Sequence, residues 1–128
     1  MKEIAVGLLI STVAVLAPIK MVLLVTGILI FADLISGIIA AKKRGEEISS
    51  AGLRRTITKV AIYNAAIILG FLAETYMLDG FLPISKIASS LIALVECKSL
   101  YENLDEIRGG NLFKSLIDKL GSQNDERK

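Results

Sequence analysis

Residues 21–41, MVLLVTGILIFADLISGIIAA, decide the fold: twenty-one residues carry one charge, Asp33. A spanning helix needs about 20 mostly apolar residues, so this stretch can cross a bilayer unaided. Three further apolar stretches surround it. Residues 4–19 hold no charge, and a short break at Pro18 and Lys20 follows. At ~1.5 Å per residue this stretch reaches about 24 Å and leans on its flanks to span. A cleavable signal fits it poorly, because Pro18 follows the small-residue site Val15-Leu16-Ala17. Residues 60–78 carry only Glu74, and residues 84–104 are interrupted by Lys86, Glu96, Lys98 and Glu102. This last stretch crosses only if its charges sit near the ends or face protein or water.

Composition points the same way. The chain has 128 residues, 53% of them hydrophobic and 22% charged, with a net charge of +2 and mean hydropathy +0.61. With Gly included and Tyr left out, the apolar share is roughly 59%, against about 45–50% for soluble proteins. A small soluble domain buries the smallest fraction of its surface and has no room for this excess. The charge is too small and too local to imply a nucleic-acid partner. With no His and one Cys, histidine chemistry, Cys-cluster metal sites and intrachain disulfides are excluded. No catalytic set, metal spacing or Gly-rich phosphate loop is present, so neither an enzyme nor a cofactor is expected.

The expected architecture is an all-α integral membrane protein with three to four transmembrane helices and a short cytoplasmic amphipathic C-terminal helix. Residues 1–104 form the transmembrane domain, with segments at about 4–19, 21–41, 60–78 and 84–104. Residues 42–59 form a basic loop with Lys42, Lys43, Arg44, Arg54, Arg55 and Lys59, six of the fifteen basic residues. So basic a loop stays in the cytoplasm, and the link at 76–85, without Lys or Arg, lies outside. The Pro18–Lys20 turn then lies outside and the N-terminus inside; if the first stretch does not cross, only the N-terminus changes side. Residues 105–128 form a cytoplasmic tail. Gly109-Gly110 breaks the helix, and Leu112, Phe113, Leu116, Ile117 and Leu120 share one face of a helix over 111–121.

Polar residues within the apolar stretches are the candidate site. Asp33, Ser36, Gly37 and Ala40 share a helical face, and a carboxylate at mid-span costs roughly 2.5–3.5 kcal/mol unless it finds a partner, water or a proton. Either an oligomer contact or a static bond to Asn64 satisfies it. Ala66, Gly70 and Glu74 form a stripe read as helix packing, and Tyr63 and Tyr76 are read as interfacial aromatics. In the fourth stretch Ser85, Ser89, Glu96, Ser99 and Asn103 line one face, opposite Ile84, Ile87, Ala88, Leu91, Leu94 and Val95. Such a helix borders an aqueous hole when copies assemble, or lies on the membrane surface. Cys97, with no second Cys, reads as a packing residue or an incidental thiol.

The fragments Asp33-Leu34-Ile35-Ser36-Gly37-Ile38, Ile48-Ser49-Ser50, Leu53-Arg54-Arg55-Thr56 with Lys59, and Glu96-x-x-Ser99-x-x-Glu102-Asn103 occur in this order. Together they resemble the phage-lysis and toxin-secretion holin family over about residues 33–120. Many relatives carry an extra Gly-rich stretch in the basic loop, where this chain has only Gly45 and Gly52. The resemblance implies a phage-encoded protein of the host bacterial inner membrane. It would accumulate as a homo-oligomer in the lipid bilayer and permeabilise it at a set time. A functional partner, endolysin, would then reach the cell wall without needing direct contact. A non-lytic membrane subunit of a secretion or channel assembly is the alternative, and an anchor docking a soluble partner through residues 111–121 is a third.

Overall fold

The computed structural model describes residues 1–111 and 114–119, and among these every regular element is helical. The chain runs as α1 (Lys2–Leu16), a 3-10 turn (Ala17–Ile19), α2 (Lys20–Lys43), α3 (Ser50–Tyr76) and α4 (Ile84–Arg108). Residues 114–119 are helical too; the rest of the amphipathic pattern, including Leu112, Phe113 and Leu120, lies outside the described residues.

Two helical runs are long and apolar enough to cross a membrane, Lys2–Lys43 (42 residues) and Ser50–Tyr76 (27 residues). The first merges two expected segments and corrects the turn at Pro18–Lys20. Pro18 sits in the first positions of the 3-10 turn, where a missing N–H costs least, so the helical run continues. α1 has no fully buried residue, and Leu16, at its end, packs against the apolar cluster around Ile19 and Ile67. A helix apolar and exposed along nearly its whole length is at home in lipid.

The basic segment is also more ordered than a loop. The Ser49 hydroxyl accepts from the Gly52 N–H at 3.3 Å and caps α3, as Ser does at helix starts. Only residues 44–49 are left to turn the chain, and Arg54, Arg55 and Lys59 ride on the first turns of α3. The turn closes through Gly45 in the left-handed region (φ +76°), with Glu46 N–H donating to Ala41 O at 3.0 Å.

α4 packs along both α2 and α3, while α2 and α3 touch each other less. It runs parallel to α2 and antiparallel to α3: Lys43 Nζ, at the end of α2, donates to the α4 carbonyls of Glu106 (3.0 Å) and Ile107 (2.8 Å). The last carbonyls of a helix lack i+4 donors; Glu106 O also accepts from the Gly109 N–H at 3.1 Å, and a cation complements that helix end. Gly109, at φ +92°, then stops α4, as its Gly-Gly pair predicts. The opposite end of α4 is capped by α3, with the Glu74 carboxylate accepting from Ser85 N–H (2.8 Å) and Ser85 Oγ (2.9 Å).

The bundle is inside-out relative to a soluble protein. A small apolar cluster of Ile19, Ile67, Phe71 and Ile92 fills one end, but Thr26, Ser36, Ser85 and Glu96 are also buried. Leu24, Ile28, Phe31, Ile35 and Ile39 form an exposed stripe on α2, and Ile87, Leu91, Leu94 and Val95 one on α4. Apolar outside and polar inside is the economy of a bundle whose solvent is hydrocarbon.

α3 approaches the start of α4 closely at Gly70, where an added Cβ would stand 3.1 Å from Ile84 Cγ2 and 3.3 Å from Ser85 N. Gly70→Leu should therefore destabilise the bundle by about 1–3 kcal/mol through overpacking. Gly27→Ala, with open space around it, should not. Unfolding of both variants in detergent, followed by circular dichroism, checks the contrast.

Candidate functional site

Three helices converge on one buried polar cluster. Lys59 Nζ, on α3, lies 2.8 Å from Asp33 Oδ2 on α2 and 3.1 Å from Glu96 Oε1 on α4. Tyr63 OH, one turn along α3, donates to Glu96 Oε1 at 3.1 Å. Asn103 Nδ2, on α4, donates to Asp33 Oδ1 (3.1 Å) and to Ser36 Oγ (3.0 Å). The Ser36 hydroxyl in turn donates to the Asp33 carbonyl at 3.0 Å. The Glu96 side chain is 0% exposed, Asp33 13% and Lys59 31%.

Local sequence explains why these groups meet. Asp33 stands ten residues before the end of α2 at Lys43, and Lys59 nine after the start of α3 at Ser50. A tight turn between antiparallel helices brings them to one level. Asn103 packs against Gly37, its Nδ2 lying 3.5 Å from where a Cβ would be, an ordinary van der Waals distance. No buried side-chain nitrogen or oxygen among the described residues lacks a partner.

The energetics identify what such a cluster does. Each charge pair attracts by about 5 kcal/mol at ~3 Å and an effective dielectric near 20. Desolvation costs several kcal/mol per ion, so the net stabilisation is small. Removing one partner is a different matter, because it strands a buried charge. The cluster therefore selects one arrangement of α2, α3 and α4 more than it deepens its stability. It has no nucleophile–base pair, and among the described residues no group of three His, Cys, Asp or Glu is placed to hold a metal.

The structure gathers Asp33, Ser36, Gly37, Glu96 and Asn103 from the candidate list and leaves others apart. Asn64 is not the partner of Asp33: its amide donates to the Val60 carbonyl of its own helix at 2.8 Å. Ser85 belongs to the Glu74 cap. Ser89, half-buried, donates to the Lys86 carbonyl at 3.0 Å, and Ser99 lines the cleft between α2 and α3. The polar stripe of α4 thus turns inward within a single chain. Of the basic residues, Lys42, Arg54 and Arg55 are exposed, and Arg44 pairs with Glu46 (2.8 Å) and Glu106 (2.6 Å). The Arg44 hydrogen bond holds the Glu46 carboxyl below its ordinary pKa.

Sequence reading missed Lys59 and Tyr63 as cluster members, and Glu74 and Lys43 as helix caps. The equal distance of Asp33 and Lys59 from the turn was the available signal. Lys59→Met should lower stability by about 3 kcal/mol, the low end for a broken buried pair, since a third of Lys59 remains exposed. Adding Glu96→Leu should recover most of that loss. A double-mutant cycle of unfolding in detergent measures both.

A profile described as the bacteriophage holin family matches residues 11–123. No curated protein matches the chain, and no solved structure does.

Proposed function

We propose that this chain, which belongs to the bacteriophage holin family, assembles in the host inner membrane and permeabilises it at a timed moment. Endolysin then passes to the cell wall and the host lyses. The observation that carries this reading is the inward polar stripe of α4, held by Lys59 and Glu74 while Leu91, Leu94 and Val95 face out. A single chain in this closed form shows lipid an apolar exterior and is harmless. On assembly α4 turns or parts from its neighbours, and Ser85, Ser89, Glu96, Ser99 and Asn103 come to line water between copies. Asp33, Ser36 and Gly37, released from Asn103, become contacts between protomers. A ring of hydroxyls and carboxylates replaces the intramolecular partners, as any polar group at membrane depth requires.

Three crossings fit this reading best: the Lys2–Lys43 run, α3 and α4. The residues 44–49 turn and the tail then lie in the cytoplasm, with the N-terminus and residues 77–83 outside. At ~1.5 Å per residue the first run is about 63 Å long, twice the hydrocarbon thickness, so it tilts strongly or lays one end along the interface. A fourth crossing would require the 3-10 turn to open into a hairpin. The helix around residues 114–119, with Leu116 and Ile117 exposed, rests on the inner membrane surface.

Two measurements test the proposal. Expressed with an endolysin, the chain should collapse the membrane potential abruptly and release the enzyme; a non-lytic subunit of another assembly would do neither. In a Cys97→Ser background, Ser89→Cys should react with a water-soluble maleimide after the collapse and not before. Leu91→Cys, on the lipid face, should stay unreactive throughout. Equal reactivity of the two positions would remove the stripe from the wall of the hole.

A further inference from the structure

The basic residues at the cytoplasmic end divide into two sets. Lys43, Arg44 and Lys59 are engaged by carbonyls or carboxylates of the same chain. Arg54 and Arg55 are adjacent, exposed, and make no side-chain ion pair or hydrogen bond among the described residues. They border a shallow groove along α3 that also takes in Ser50, Thr58, Lys59, Ile62 and Tyr63 and whose lining contains no carboxylate; Arg55 also borders the neighbouring cleft, where Glu46 and Glu47 lie.

From this arrangement we propose that the groove binds the headgroup of an anionic glycerophospholipid of the inner leaflet, its phosphodiester held by Arg54 and Arg55 and an acyl chain lying along Ile62 and Tyr63. The inference rests on the cytoplasmic placement of α3's first turns proposed above. Charge complementarity selects the occupant, since guanidinium groups pair with phosphate oxygens in bidentate fashion.

Depth agrees with charge. Arg54 stands six residues before the apolar stretch that begins at position 60, about 9 Å along the helix axis at ~1.5 Å per residue. The headgroup layer outside the hydrocarbon core is about 5–8 Å deep on each side, and a long arginine side chain reaches toward it along its own stem. Below the arginines the groove turns apolar: Ile62 is 58% exposed, and the Tyr63 ring lies beside it with its hydroxyl committed to Glu96. A phosphate above an acyl chain matches this order, whereas a free anion would leave Ile62 without a partner.

The consequence is regulatory. The same turn of α3 that would hold the lipid carries Lys59, so a headgroup on Arg54 and Arg55 fixes α3 at the depth where Lys59 meets Asp33 and Glu96. Anionic lipid would thereby favour the closed bundle.

Native mass spectrometry of the full chain in detergent micelles, titrated with phosphatidylglycerol or phosphatidylcholine, tests the site. Each basic residue near an anionic surface strengthens binding about fivefold, so phosphatidylglycerol should bind about 25-fold tighter than phosphatidylcholine. Arg54→Gln with Arg55→Gln should bring the two lipids within twofold of each other. Lys42→Gln with Lys114→Gln, which removes the same charge from other exposed positions, should leave the preference intact. An equal loss in that second pair, equal binding of both lipids by the native chain, or displacement of phosphatidylglycerol by millimolar inorganic phosphate would each overturn the proposal. The assay needs neither a hole nor a bilayer orientation, so a chain that keeps its lipid preference yet releases no endolysin would count against the holin reading alone.

Discussion

One ammonium shared between two carboxylates organises this protein. Among the described residues, Lys59 is the one cation that pairs with both Asp33 and Glu96, and it does so from a third helix. Without Lys59 the Asp33 and Glu96 carboxylates would lose their shared cation, and breaking a buried pair by removing one partner is strongly destabilising. The bundle therefore has one favoured arrangement, the one in which α3 lies alongside the α2–α4 pair at the right depth. Tyr63, Asn103 and Ser36 complete the hydrogen bonding, so that little polar capacity is left to attract water or a second chain.

The remaining contacts set the frame in which this cluster works. Helix ends are held by side chains of neighbouring helices: Glu74 for the start of α4, Lys43 for its end. Gly70 allows the close approach that aligns Ser85 with Glu74. In the proposed function, a single chain with its polar groups satisfied within and its aliphatic side chains turned out sits in a bilayer without disturbing it. The same polar groups, once their partners part, can be satisfied only by water or by another copy. A marginal net stability combined with a sharp penalty for partial opening is what an all-or-none transition requires, since intermediates bear the stranded charges.

Much of this was legible in the sequence, for identifiable reasons. Helix positions followed from apolar runs, the stop at Gly109-Gly110 from backbone freedom, and the two faces of α4 from a period that places Ser85, Glu96 and Asn103 together. What escaped was pairing between helices. Asp33 was expected at mid-span, with an oligomer contact or Asn64 as its partner, because the basic segment read as loop to residue 59. Once Ser49 caps α3, the turn shortens to residues 44–49, and the level of Asp33 on α3 moves back by five residues, from Asn64 to Lys59. Pro18 misled for a related reason: proline and lysine together read as a reversal, yet a single 3-10 turn absorbs both and the helical run continues.

The central claim is that the Lys59 cluster keeps the bundle closed until assembly. The most direct test is the time at which membrane potential collapses in cells expressing Lys59→Met, compared with the native chain at matched membrane abundance. If the cluster is the restraint, collapse comes early and at lower accumulated protein, and endolysin release follows it. Collapse at the native time, in a variant that reaches the membrane in equal amount, would contradict the account and leave the cluster a structural contact alone.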